Sequence, residues 1–415
     1  MTTYKEINGE NIKAVASDPS NPVDGQIWFN TTTYVVKGNV NYGAGSWATG
    51  GDLNRSSGRR FVSGTGTQTA AICVGGSPPV TADTELYNGS AWTEVNNLNT
   101  ARYGMAASGT QTAAIVGGGG TSPANASAEV WNGTNWTEVN NLNQARRSLA
   151  GSTAGTSTAA LGFGGYKTPG VANNTEVWNG TNWTEVNNLG TARYRFSGAG
   201  TSTAALGFGG TGPTANTELW NGTNWTEVNN LNTARQGIAG CGTQTAALAG
   251  GGNNGPTVYS ATEEYNGSSW SGGGAMIQAR GGLSTGLGTQ TAGLGYGGSR
   301  PTPALQYSLT EEYNGSSWTA GGALSEVKAD VSGTGIQTSG LAWGGQTPGG
   351  RFATSQAYDG SAWTAGGDLS SARHSTARAG GSTSALTAGG DTAAGVTASV
   401  EEYTFAATTQ TFTTS

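Results

Sequence analysis

The residues able to hold a charged partner recur along this chain at a steady beat. Arg102, Arg146, Arg193, Arg235, Arg280 and Arg373 each open a repeated stretch; Glu85, Glu129, Glu176, Glu218, Glu264, Glu312 and Glu402 each stand in its later part. One stretch departs at both positions together, with Lys328 and Gln356. A guanidinium grips a carboxylate through two parallel hydrogen bonds, a geometry an ammonium lacks. The joint change points to Arg and Glu meeting as structural ion pairs. The sharper reading is a ring of arginines gripping an anionic ligand.

Catalytic chemistry finds little support. The single histidine, His374, sits beside the last arginine and reads as an exposed or hydrogen-bonded loop residue. Every candidate acid for a Ser-His-Asp triad belongs to the repeating set. Copper redox chemistry needs several His or Tyr ligands, which one His cannot supply. The chain has no Gly-x-x-x-x-Gly-Lys phosphate loop. Adjacent carboxylates such as Glu263 and Glu264 face opposite sides of a strand. Cys73 and Cys241 are too few for a disulfide framework or a zinc motif, and read as small buried side chains. The expectation is no enzyme, no catalytic residues, no metal and no cofactor.

Composition excludes other classes. Charged residues make up 11% of 415 and the net charge is −6, with no basic stripe, which argues against nucleic acid. No apolar run suits a membrane span or a signal peptide, so neither membrane insertion nor the usual secretory route is expected. Gly and Pro are abundant, yet spaced aromatics argue for an ordered chain.

The elements that must position the charges follow from a longer period. Trp47, Trp92, Trp136, Trp183, Trp225, Trp270, Trp318 and Trp363 are separated by 42 to 48 residues, and glycine pairs from Gly75-Gly76 to Gly389-Gly390 keep the same interval. In the second repeat the glycine pair reads as Gly119-Gly120. A period in the mid-forties is one small antiparallel sheet. Within residues 102–143, four short strands are expected: 102–108, 112–116, 128–131 and one starting near Trp136. Asn132-Gly133 makes the third turn, with positive φ expected at both positions. The same turn recurs at Asn88-Gly89, Asn179-Gly180, Asn221-Gly222, Asn266-Gly267 and Asn314-Gly315, and as Asp359-Gly360. Several also spell the N-glycosylation pattern, which turn chemistry alone explains.

An arginine opening the first strand, a glycine pair ending the second, an aromatic before the third turn and Trp opening the fourth together resemble the kelch motif. The resemblance spans residues 44–404 and implies an all-β fold: an eight-bladed kelch-like β-propeller of four-stranded antiparallel blades, with a short N-terminal extension. The usual kelch count is six or seven. The last unit lacks a following Trp, so the Trp47 strand is expected to complete it and close the ring. The alternative gives that role to residues 410–414. The Trp side chains are expected to pack between blades. The sialidase-type Ser-x-Asp box is absent.

The repeats differ mostly in the loop after each glycine pair: 77–84, 121–127, 166–174, 211–216, 253–260, 299–306, 346–354 and 391–397. Variable loops on a rigid frame are where recognition usually resides. Tyr166, Lys167, Tyr259, Arg300, Arg351 and Phe352 are the larger side chains there and the candidate binding residues. Residues 1–43 stand outside the repeat and contain Gly25-Gln26-Ile27-Trp28-Phe29-Asn30, a hairpin signal. This resembles a short module near the start of marine bacteriophage virion proteins. It implies an attachment segment (1–43), a propeller (44–404) and a tail (405–415). The expected function is a virion structural protein, a tail fibre or tail-associated adhesin, made in the host cytoplasm and carried on the particle exterior. Its expected partners are other virion proteins through 1–43 and a host-surface glycan or protein, with homo-oligomers in the virion. The alternative is a capsid-decoration or tail component that binds only virion proteins.

Overall fold

The computed structural model describes residues 13–17, 27–40, 45–54, 58–120, 123–147, 149–151, 156–194, 196–301, 304–405 and 408–412. Among these, all regular structure is β, and no helix occurs. Eight four-stranded antiparallel sheets succeed one another along the chain, a propeller-like arrangement. Their first strands begin at Ser63, Ala106, Ala150, Ser197, Ala239, Ser284, Ser332 and Ala377. Seven of these sheets take four strands in chain order. In the eighth, Val400–Thr404 pairs with Ser46–Thr49 from near the other end, in the register Trp47 opposite Tyr403.

The second sheet shows how local sequence builds the unit. Its strands are Ala106–Thr110, Ala113–Gly117, Ala128–Trp131 and Trp136–Val139. The second strand is apolar on both faces because it is covered on both: Ala114, Ile115 and Val116 are each about 1% exposed. Ile115 packs with Trp178 and Trp183 of the third sheet, whereas Val116 packs with Ile72 and Val74 of the first. The Asn132-Gly133 turn departs from expectation. Trp131 pairs with Trp136 across a four-residue loop, and only Gly133 has positive φ. The Asn132 side-chain oxygen instead accepts the N–H groups of Thr134 and Asn135, an Asx turn that favours Asn or Asp.

The fourth-strand tryptophans pack between sheets, as their spacing suggests. Trp225 lies 4.9 Å from Phe163 of the third sheet, and Trp270 lies 4.9 Å from Phe208 of the fourth. The last sheet meets the first in the same manner: Leu386, Ala388 and Val400 share a core with Cys73, Tyr87 and Trp92. Cys73 is buried as expected, while Cys241 is half-buried and donates to the carbonyl of Thr289; both are free thiols.

Outside the eight sheets, Lys13–Val15, Ile27–Asn30, Val35–Val40 and Thr408–Phe412 form a further four-stranded sheet. The hairpin expected around Trp28 is its centre, and Trp28 is fully buried. Val36 to Val40 pairs with the strand near the C-terminus.

Candidate functional site

Among the described residues seven arginines are fully buried, and each reaches a third-strand carboxylate of its own sheet. The pairs are Arg59–Glu85 at 2.7 Å, Arg102–Glu129 and Arg146–Glu176 at 2.8 Å, Arg193–Glu218 and Arg235–Glu263 at 2.9 Å, Arg280–Glu311 at 3.1 Å, and Arg373–Glu401 at 2.6 Å. Arg59 was not singled out from the sequence, where it hides beside Arg60. Three expected partners are corrected. Glu264, Glu312 and Glu402 each follow the residue that pairs. In a strand the neighbour faces the other way, and Glu264 and Glu312 accept the hydroxyls of Tyr313 and Tyr358 from the next sheet.

The other carboxylate oxygen ties down the incoming chain. Glu263 accepts the backbone N–H of Asn232 at 2.6 Å and its side-chain amide at 2.8 Å. The guanidinium spends further donors on carbonyls, for Arg235 those of Gly251 and Ala261. Fully buried and held by its own sheet in this way, such a cation is out of reach of a ligand in solvent, and these pairs are structural. In the exceptional sheet Gln356 still accepts the N–H of Ser325, while Lys328 turns to Thr354 at 2.9 Å and Glu326 at 3.8 Å. Burial pulls the Lys328 ammonium down to about 8, against the upward pull of Glu326 and Asp368.

The glycine pairs carry the junctions between sheets. The second glycine donates to the carbonyl of the next sheet's arginine, as Gly252 does to Arg280 at 3.1 Å. In the second repeat this role falls to Gly118-Gly119 rather than Gly119-Gly120, since Gly119 donates to Arg146. The same bond joins Gly390 of the last sheet to Arg59 of the first, at 3.3 Å.

Beyond the arginine, the chain pairs antiparallel with the residue after the glycine pair. Arg60 meets Ser77, Arg147 meets Tyr166, Gln236 meets Asn253, Gly281 meets Ser299, Ala329 meets Gln346 and His374 meets Asp391. These bridges place the variable loops on one frame. Several loops are short hairpins, as at Ser299–Pro301 with Ala304–Gln306.

The six candidate residues fall on four sheets. Tyr166 is half-buried beneath the Arg147 guanidinium, 4.9 Å from its ring centre, with Tyr194 edge-on at 6.0 Å. Lys167 adjoins it, its backbone N–H on the carbonyl of Gly170. Tyr259 packs through its backbone, donating to Gly252 and accepting from Arg280. Arg300 lies on the Ser299–Pro301 strand. Arg351 pairs with Asp391 of the eighth sheet at 3.3 Å, and Phe352 lies 5.7 Å from the Lys328 ammonium. Arg351 joins a larger constellation.

That constellation spans the seventh, eighth and first sheets. Arg60 and Arg351 both engage Asp391, one on each carboxylate oxygen. His374 is buried beside them, its Nδ1 2.9 Å from the Ser375 hydroxyl. Burial pulls the His374 imidazole down, Arg351 and Arg60 add to that, and Asp391 and Asp330 oppose it. The Arg60 guanidinium lies 5.0 Å from the centre of the Phe61 ring, which is half exposed and 6.2 Å from Tyr103. Phe61 sits two residues after Arg59, where three other repeats carry Gly104, Gly237 and Gly282 and four carry Ser148, Arg195, Asp330 and Ser375. Its aromatic ring, the only one at this position in the eight repeats, was the available signal. Among the described residues, no group of three or more His, Cys, Asp or Glu side chains is placed to hold a metal ion, and no helix is long and apolar enough to cross a membrane.

No family model matches the chain, and no curated protein does. Among solved structures, that of YjhT is similar at 15% identity and a TM-score of 0.45, covering 64% of this chain and 97% of that one.

Proposed function

We propose that this chain is a bacteriophage virion protein, a tail fibre or tail-associated adhesin that presents its loop face to the host surface. In this reading the eight sheets are blades of one closed kelch-like propeller, completed by the Trp47 strand. Residues 1–43 attach it to other virion proteins, and it works on the particle exterior without catalysing a reaction. One observation carries the reading. The framework bonds repeat from sheet to sheet, as in Gly252 to Arg280 and Gly390 to Arg59, while the hairpins mounted on that framework differ in every repeat. Constant support under variable loops is the layout of a recognition surface.

The test is saturable binding of labelled full-length chain to intact host cells, beside the triple variant Tyr166→Ala, Arg300→Ala, Arg351→Ala. Binding that is lost in a folded variant supports adhesion. A folded wild-type chain that fails to bind leaves the purely structural role, in contact only with virion proteins.

A further inference from the structure

The constellation at the seventh, eighth and first sheets has features the other junctions lack. We infer that it is a saccharide site selecting a sugar unit that carries a carboxylate. The inference takes its biological setting from the adhesion reading above and adds the ligand class.

Three observations converge. First, two guanidinium groups share one carboxylate: Arg60 on one oxygen of Asp391 and Arg351 on the other, from sheets on either side. Both arginines reach solvent, at 36% and 27% exposure, unlike the buried arginines of the ring. Two forks around one anion leave donors for a second, and a sugar carboxylate has the planar, bidentate geometry they match.

Second, an aromatic platform adjoins the forks. Phe61 is 50% exposed, stacked under Arg60 on one side and tilted against Tyr103 on the other. An exposed ring held between fixed neighbours suits the C–H face of a pyranose, while the carboxylate of Asp330, on the seventh sheet, faces solvent and accepts from Gln346.

Third, the backbone is held in an unfavourable conformation at this place. The position two residues after the ring cation has left-handed φ in every described repeat. It is glycine at Gly104, Gly237 and Gly282, with φ of 59°, 61° and 60°. It is Phe61, Asp330 and Ser375 in the three sheets of the constellation, at 53°, 51° and 54°. A Cβ at Gly104 would meet nothing within 4 Å, so φ alone explains glycine there. The third and fourth repeats also carry non-glycine residues at this position, Ser148 and Arg195, but of the eight repeats only Phe61 places an aromatic ring there, at a conformational cost that glycine would avoid.

The experiment uses full-length chain on an array of immobilised oligosaccharides: hexuronic-acid oligomers, the same oligomers as methyl esters, sulfated galactan and neutral glucan. Host-cell binding is measured in parallel. The expected result is binding to hexuronates, weakened tenfold or more by esterification. Arg351→Gln should abolish the preference for the free acid. Phe61→Gly, which installs the residue of three other repeats, should abolish binding with Tm unchanged or raised. Cell binding without hexuronate binding overturns the ligand class and leaves adhesion standing. Hexuronate binding without cell binding upholds the site and removes adhesion. Array binding that survives both substitutions overturns the site.

Discussion

The indole N–H of Trp270 donates to the hydroxyl of Thr217, 2.9 Å away in the preceding sheet. The same bond links Trp136 to Thr84, Trp225 to Thr175, Trp318 to Thr262 and Trp363 to Thr310. Each large ring is thereby satisfied as it is buried, fully at Trp136, Trp225 and Trp270 and partly at Trp318 and Trp363, which an indole in a core needs. Where the repeat carries Ala128 or Val400 in place of Thr, the indoles of Trp183 and Trp92 are buried with no acceptor. Thr217→Val keeps the shape and removes the acceptor, so it should cost about 1–2 kcal/mol. Val400→Thr supplies the missing acceptor to Trp92 and should gain about 0.5–1.5 kcal/mol. Urea unfolding of the two variants checks both signs.

The two adjacent carboxylates of the fifth sheet should behave very differently. Glu263→Ala leaves Arg235 buried and uncompensated, at a cost of about 3–5 kcal/mol. Glu264→Ala removes one hydrogen bond to Tyr313, at about 1–2 kcal/mol. Thermal unfolding decides; equal losses would refute the register of the pairs.

Lys328 gives stability a pH dependence with a definite sign. Its folded value of about 8 lies below the ordinary lysine value, so the unfolded chain binds the extra proton between them. Stability attributable to this group therefore rises with pH from about 8 to about 10.5, by at most about 1.4 kcal/mol per unit. Tyr313 and Tyr358 act in the opposite sense above pH 10, because burial first, and then Glu264 and Glu312, raise their hydroxyls. The difference between wild type and Lys328→Met, followed by urea unfolding across pH 7 to 10, should shrink as pH rises.

Glycine at the junctions should be equally indispensable at every junction, the last-to-first one included. A Cβ on Gly251 would stand 2.6 Å from the carbonyl of Arg280, and one on Gly389 would stand 2.4 Å from that of Arg59. Both residues have φ near 60°. Gly251→Ala and Gly389→Ala should each cost about 1–3 kcal/mol. A neutral Gly389→Ala in calorimetry would mean that the last sheet does not press on the first.

Much of the repeated sheet was legible because its signals are local. Trp136 starts a strand, Asn132-Gly133 turns one, and both recur at a fixed spacing. The ion pairs were legible as a class through Lys328 and Gln356 changing together. Which glutamate of Glu263-Glu264 pairs was not, because identical neighbours differ only in the face the strand register gives them. The site was barely legible. Arg351 is visible as a loop residue, but Asp391 lies 40 positions away and Arg60 lies 331 from Asp391, and only the packing of three sheets joins them. The pairing of Val36 with Phe412 is likewise invisible, because neither strand carries a mark for its partner.

Every proposal about the loop face presupposes a rigid disc, and that disc depends on the strand Ser46–Thr49 completing the sheet of Val400–Thr404. Amide hydrogen exchange of full-length chain tests this directly, with the strand Trp363–Ala365 as internal reference. A closed ring predicts protection of the Ser46–Thr49 amides within about tenfold of that reference, since both would then open only with the whole sheet. Exchange of Ser46–Thr49 at the rate of an unpaired chain, with Trp363–Ala365 protected, would contradict closure and the display surface built on it.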